Sequence, residues 1–291
     1  MTTLPTTHCR HHQRGFSIVE LMIAMLLGLL LMAGVLQLFS SNKTTFMGME
    51  GIAEIQDGAR AGIERMKSRI RMSGYMGCSN ANAIVPNNVT TGLAQIAFAP
   101  NVMVTGVDDD SAVNAVIDGT DTITVISATA ANTRLNASMG ATGSNLVIAS
   151  NPYNFRENDA LIITDCDTAD VFAISSITGT GPFTVAHAAT NTNGDTINGS
   201  SNLVKPYLAN NSLVMSLTNV TYSVQDTGRT DDAGNPVLGL FETPAGGAAV
   251  EVVSGVEDMQ ITYGIDTSAT PNGEANSYQV APAAGSPLWS R

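Results

Sequence analysis

From Leu21 to Phe39 the chain runs nineteen residues without a charge, with Gln37 the one amide among them. No other segment restricts the possible folds so strongly. A helix from Phe16 to Phe39 would be ~36 Å long, enough to cross a hydrocarbon core of about 30 Å. The flank before it, residues 1–14, carries Arg10 and Arg14, three histidines and no acid. Basic flanks stay on the cytoplasmic side, so the remainder is expected outside. A cleaved secretory signal is the first rival, but its apolar region is usually shorter and ends in an A-x-A-like site. No such site follows Gln37. A plain membrane anchor is the second rival, and it leaves Glu20 unexplained. A charge at membrane depth costs roughly 2.5–3.5 kcal/mol even on lenient scales.

The helical pattern continues past the apolar run. Phe46, Met49, Ala53, Ala59, Ile63, Met66 and Ile70 recur at three- to four-residue spacing, while Lys43, Glu50, Glu54, Arg60, Arg65, Lys67 and Arg71 fall largely elsewhere. No proline lies between Pro5 and Pro86, and Gly74 and Gly77 offer a stop. One helix of more than 50 residues is expected, half in the membrane and half packed on the remainder of the chain. Gly28 and Gly34 weaken a water-exposed helix but permit close approach in a helix bundle.

The segment Arg14-Gly15-Phe16-Ser17-Ile18-Val19-Glu20-Leu21, at the head of this helix, resembles the class III signal of type IV prepilins and pseudopilins. The resemblance implies that a prepilin peptidase cuts between Gly15 and Phe16 on the cytoplasmic side and methylates Phe16. Glu20 then stands where the family has its fifth-residue glutamate. The new α-amino group and a carboxylate four residues on are helical neighbours. In a staggered stack, Glu20 of one subunit can meet the terminal ammonium of the next, so that two groups costly in lipid neutralise each other. The alternative is a pair formed within one chain. Three further segments, "SRIRMSGYMGC" (Ser68–Cys78), "ITDCDTADVFAI" (Ile163–Ile174) and "VEDMQITYGIDT" (Val256–Thr267), are similar to PilW-type minor pilins.

From about Tyr75 the texture changes to short β-branched runs between Gly/Asn/Asp/Pro clusters. Strands are expected at Thr122–Ser127, Leu146–Ala149, Ala160–Thr164, Val171–Ile174, Phe183–Ala186, Leu213–Val224, Val237–Phe241, Ala249–Val253 and Gln260–Gly264. Segments 129–145 and 189–202 read as surface loops. The three cysteines are Cys9, Cys78 and Cys166. Loss of Cys9 with the leader leaves an even pair, which suits an oxidising compartment. A Cys78–Cys166 bond would close a long loop; the alternative is two unpaired, buried thiols. In PilW-type proteins the segment similar to "VEDMQITYGID" is usually followed by a "W…V…V" strand that finishes the sheet. Here the chain reaches "SPLWSR". The expectation is a truncated chain with Gln260–Asp266 at an open sheet edge, or Ala281–Arg291 folding back as a shorter closing strand.

Net charge is −12, from 13 Lys+Arg and 25 Asp+Glu, and no basic block is interleaved with aromatics, which argues against a nucleic-acid groove. Nucleophile-elbow, zincin, phosphate-loop and CxxC patterns are all missing from the sequence. The His8–His12 cluster lies in the leader. His187 reads as a core or rim residue and Asp108–Asp110 as a solvated loop. Asn191–Asp195 lacks the spacing and distal glutamate of a calcium loop.

The reading is an α+β, pilin-like chain: leader 1–15, transmembrane half-helix 16–39, periplasmic amphipathic half-helix 40–74, and a β-rich domain 75–291. It is a non-enzymatic, cofactor-free minor pilin that primes or caps a type IV pilus for twitching motility and attachment. Its partners are prepilin peptidase, other minor pilins, the major pilin and a tip adhesin. It sits in the inner membrane before entering the pilus. The alternative is a J-type pseudopilin of type II secretion.

Overall fold

The computed structural model describes residues 15, 17–78, 89, 103–109, 116–270, 272–283 and 286, with side chains 130–132 excepted. The chain divides into two compact units, Met1–Asp57 and Gly58–Arg291.

One helix, α1, runs from Ile18 to Arg71, 54 residues. Ser17 caps it: its hydroxyl accepts from the Val19 amide at 3.3 Å, and its carbonyl accepts from Leu21. Glu20 in the first turn and Arg69 and Arg71 in the last complement the helix dipole. The helix ends where Gly74 turns left-handed and donates its amide to Ile126.

The second unit is built on two long antiparallel strands, β2 (Thr122–Ala137) and β8 (Leu213–Thr230). Their length lets each carry several neighbours. β1 (Val104–Val107) and β3 (Leu146–Ile148) pair with β2. β4 (Ala160–Thr164) pairs with β8 and forms a hairpin with β5 (Ala169–Ala173). β6 (Ser176–Thr178) and β7 (Phe183–Ala186) extend the sheet beyond β3. β9 (Pro236–Pro244) and β10 (Val250–Ser254) close the other end, with a bulge between Glu251 and Val253. The result is a ten-stranded sheet.

β4 and β5 are buried throughout. Alternate residues serve different cores: Ile162, Val171 and Ala173 join Met76, Ile126 and Met215, while Leu161, Ile163 and Phe172 join Leu146, Ile148 and Tyr207. A strand covered on both faces reads as a continuous apolar run, as "ALIIT" does. A third cluster, Ile123, Val125, Val220, Tyr222 and Leu240, takes Met66 and Val253 against it.

Three expectations need correction. The segment 129–145 is not all loop: β2 extends to Ala137 because β8 and β3 supply partners for Asn132 through Ala137. Within 189–202, Asn198 is fully buried. Its amide donates to the Ala173 and Ala188 carbonyls, and its Oδ1 accepts from the Ala173 amide at 2.7 Å. It stands in for a strand. Last, the strand expected at Gln260–Gly264 is shorter and shifted, and the edge expected at Gln260–Asp266 is that of a small separate sheet rather than of the large one. Only 263–265 is strand (β11), paired with Ser277–Gln279 (β12) in a separate two-stranded sheet. Asp121 diverts the preceding residues, donating its amide to Met259 and accepting from the Ile261 amide at 2.6 Å. Ile265 is buried. Of the Ala281–Arg291 closing strand, residues 284, 285 and 287–291 lie outside the described residues.

Candidate assembly interface

Gly15 is exposed immediately before the capped helix start, and Phe16 lies outside the described residues. Glu20 is exposed in the first turn of α1. The apolar side chains beyond it, among them Leu21, Leu29, Leu31 and Phe39, are exposed as well. A Cβ at Gly28 or Gly34 would meet nothing within 4 Å. Among the described residues α1 is the one helix long and apolar enough to cross a membrane. So large an apolar surface needs lipid or other helices around it.

In the second unit, residues 58–71 of α1 lie on β9 and β10. Gly58 and Gly62, one turn apart, make that approach possible: a Cβ would stand 3.0 Å from Val253 Cγ1 at Gly58 and 3.1 Å from Val253 Cγ2 at Gly62. A shallow groove of about 230 Å³ remains there, lined by Ile63, Met66, Val256 and Met259 among others.

One further turn along, Arg65 and Arg69 both reach the buried Glu242 on β9, Arg69 at 3.4 Å and Arg65 in a closer ion pair. The Tyr222 hydroxyl donates to the same carboxylate at 3.2 Å. Burial alone would push the Glu242 carboxyl up. The Arg65 hydrogen bond and charge, the Arg69 charge and the tyrosine outweigh it and hold the group below its ordinary value. Tyr222 is pushed up to about 12, first by burial and then by the adjacent carboxylate. This clamp fixes the end of α1 on the sheet. Its sequence signal is Arg65/Arg69 at i,i+4, in register with Gly58/Gly62, but no local pattern points to Glu242, 177 residues away from Arg65.

Cys78 and Cys166 form a disulfide, S–S 1.99 Å with Cα atoms 4.7 Å apart. It joins the segment after α1 to the β4–β5 hairpin. The hairpin turn holds Cys166 at φ 75°. Asp165 Oδ1 accepts from the Asp167 and Thr168 amides, and its carboxylate pairs with Lys205 at 2.7 Å. Below the turn, buried Asp170 accepts from the Tyr207 hydroxyl at 2.8 Å and from the Val204 amide. Burial dominates there and raises the Asp170 carboxyl; it pushes the Tyr207 hydroxyl well up too.

The remaining candidates have structural places. His187 is 1 % exposed, tilted against Phe172, with Nε2 3.0 Å from the Ser144 carbonyl. Asn191 and Asp195 bond each other in a closed turn. Asp108 and Asp109 are not simply solvated: buried Asp121 joins them, with carboxylate oxygens within 4.8 Å of one another. The His8–His12 cluster and Asp110 lie outside the described residues.

Two family models match the chain. The prokaryotic N-terminal methylation motif covers residues 10–36, spanning Gly15, Phe16 and Glu20. The type IV pilus-assembly protein W model covers residues 221–291. Together the two matches support a PilW-like type IV pilin. The second match takes in Val256–Thr267, and Ser68–Cys78 and Ile163–Ile174 fall outside both. No curated protein and no solved structure matches this chain. It is a membrane-anchored component related to type IV pilus assembly, and Glu242 of its helix clamp lies inside the pilus-assembly segment.

Proposed function

We propose that this chain is a minor pilin that primes or caps type IV pilus assembly, with no enzymatic role of its own. The observation that carries the reading is the pairing, in one chain, of an N-terminal methylation motif and a C-terminal pilus-assembly segment. The second of these favours a pilus over a secretion pseudopilus. In this reading prepilin peptidase cuts after Gly15 and methylates Phe16. The helix anchors the protein in the inner membrane with the β domain in the periplasm. Glu20 then docks the N-terminus against neighbouring minor and major pilins, and a tip adhesin is a further partner.

Deletion of the gene tests this. Surface pili and twitching should fall together while secretion of folded exoproteins continues, and re-supplied protein should co-purify with sheared pili. Normal piliation with failed secretion would overturn the pilus assignment.

A further inference from the structure

Cys78 and Cys166 are both exposed, so their bond lies open to solvent on the second unit. The turn that carries Cys166 is held independently of it. The Thr164 hydroxyl accepts from the Cys166 amide and donates to the Thr168 carbonyl. Asp165 Oδ1 accepts from the Asp167 and Thr168 amides, and the Asp165 amide donates to Thr168. On the other side, the Gly74 amide donates to Ile126 and the Ala128 amide to Tyr75, and Met76 is buried. Opening the S–S bond therefore removes one tether and leaves the structure on either side of it in place.

The surroundings of Cys166 are charged. Asp165 and Asp167 flank it directly in sequence, and the Asp167 side chain is 92 % exposed. Burial alone would raise the Asp165 carboxyl, but the Lys205 hydrogen bond and the turn amides outweigh it and hold the group below its ordinary value. Among the described residues, the ion pairs of this turn are those of Lys205, at 2.7 Å to Asp165 and 3.9 Å to Asp167. Two carboxylates against one ammonium leave an excess of negative charge beside the sulfur.

We propose that Cys78–Cys166 is a thiol–disulfide exchange site that selects its reactants by charge, accepting thiols on a cationic carrier and turning anionic ones away. A thiolate attacks one sulfur, a mixed disulfide forms, and the other cysteine leaves as a thiolate that takes a proton from water. The second thiol of a dithiol reactant then breaks the mixed disulfide, so two electrons pass from the dithiol to the cystine and two protein thiols remain. Attack at Cys166 brings negative charge up to the carboxylates. Attack at Cys78 leaves it on Cys166, next to them. Both routes build charge beside Asp165 and Asp167, and a positive charge on the reactant offsets it. The fitting partner is a dithiol oxidoreductase with basic residues around its reactive cysteine. Exchange makes the tether between the segment after α1 and the β4–β5 hairpin reversible, a role independent of the pilus reading.

The test uses the full-length protein in detergent, with Cys9→Ser so that Cys78 and Cys166 alone remain. Cysteamine, mercaptoethanol and mercaptopropionate serve as cationic, neutral and anionic probes, and maleimide mass-tagging of the two cysteines follows reduction. Each rate is normalised to the same thiol's rate on a neutral small disulfide, which removes differences in intrinsic nucleophilicity. Normalised rates should fall in that order, about fivefold or more from first to last at low ionic strength, and converge in about 0.5 M salt. Asp167→Lys should narrow or reverse the order, with Asp167→Asn between. Equal rates for the three probes, or an order that salt and Asp167→Lys leave unchanged, would overturn the charge selection. The reduced protein should keep its tyrosine-region circular dichroism, show faster hydrogen exchange at 76–78 and 164–168, and re-form the bond on oxidation. Loss of the fold on reduction, or no reduction short of unfolding, would overturn the exchange site itself.

Discussion

Cys166 and Glu242 show how much one position can hold. Cys166 adopts φ 75°, where any Cβ is strained, and its disulfide partner lies 88 positions earlier. In the chain-entropy model, closing such a loop is worth roughly 4–5 kcal/mol, usually less when measured. Cys166→Ser should therefore lower stability and abundance. In a Cys78→Ser background, Cys166→Gly should be more stable than Cys166→Ser by about 1 kcal/mol, because glycine relieves the strain. Urea unfolding of the two variants in detergent decides it; equal midpoints would count against strain at this turn. Glu242 yields a pH prediction. Its carboxyl is held below the ordinary 4.5, so its contribution is fully present above that pH and is lost as pH falls through the lower folded value. Asp170 acts in the opposite sense, since its carboxyl is raised. Comparison with Glu242→Gln cancels that contribution. The variant should lose about 1–2 kcal/mol at pH 7, modest because Arg65 and Arg69 are half-exposed, and the gap should close as pH falls below the ordinary carboxylate value. Tyrosine-region circular dichroism of the unfolding transition measures both, and a gap that does not narrow would refute the clamp's charge.

At the scale of elements, α1 and the sheet make contact through absent side chains. Gly62→Ala puts a Cβ 3.1 Å from Val253 Cγ2 and 3.4 Å from Leu240 Cδ2, both ends of flexible side chains. Those neighbours can yield, and alanine gains about 1 kcal/mol of helix propensity, so the change should be near neutral. Gly62→Leu has nowhere to go and should cost about 1–3 kcal/mol. Faster hydrogen exchange in β10 and in 58–71 for the leucine variant, and not for alanine, is the expected signature. Local signals make these elements legible: the charge-free run and the absence of proline mark α1, and "ALIIT" and "FTVA" bound the strands Ala160–Thr164 and Phe183–Ala186 at their true ends. What stays hidden depends on distant partners. "SIT" at Ser176–Thr178 becomes strand because Phe183–Ala186 is there to pair with it. Asn198 sits in a stretch of loop composition, and it is buried because two backbones leave groups for its amide to satisfy. The Arg65–Glu242 clamp and the gathering of Asp108 and Asp109 around Asp121 come from topology, which periodicity does not encode.

For the molecule as a whole, the proposed function asks α1 to serve first in lipid and then in a filament, and in that reading Glu20 is the residue that distinguishes the two roles. In lipid an exposed carboxylate in the first turn is a cost, offset in part by the positive helix end. Before cleavage the chain offers no charged amine at this depth. Cleavage after Gly15 would create one at Phe16, next to the Ser17 cap, and a neighbouring subunit's Glu20 could then pair with it. Processing and assembly are thus separable. Gly15→Arg should accumulate precursor, and mass spectrometry of mature wild-type protein should find N-methyl-Phe16. Glu20→Ala should insert and be cut normally, since the apolar run and the Gly15–Phe16 junction are intact. Its recovery in sheared pili should drop tenfold or more, with the protein retained in the membrane, if the lost pair is worth about 1.4 kcal/mol or more in low dielectric. Glu20→Gln separates charge from shape: it keeps the side-chain size and hydrogen bonding, so recovery close to the alanine variant would assign the role to the carboxylate's charge. Wild-type recovery for both variants, in a strain with no other copy, would leave Glu20 without a docking role.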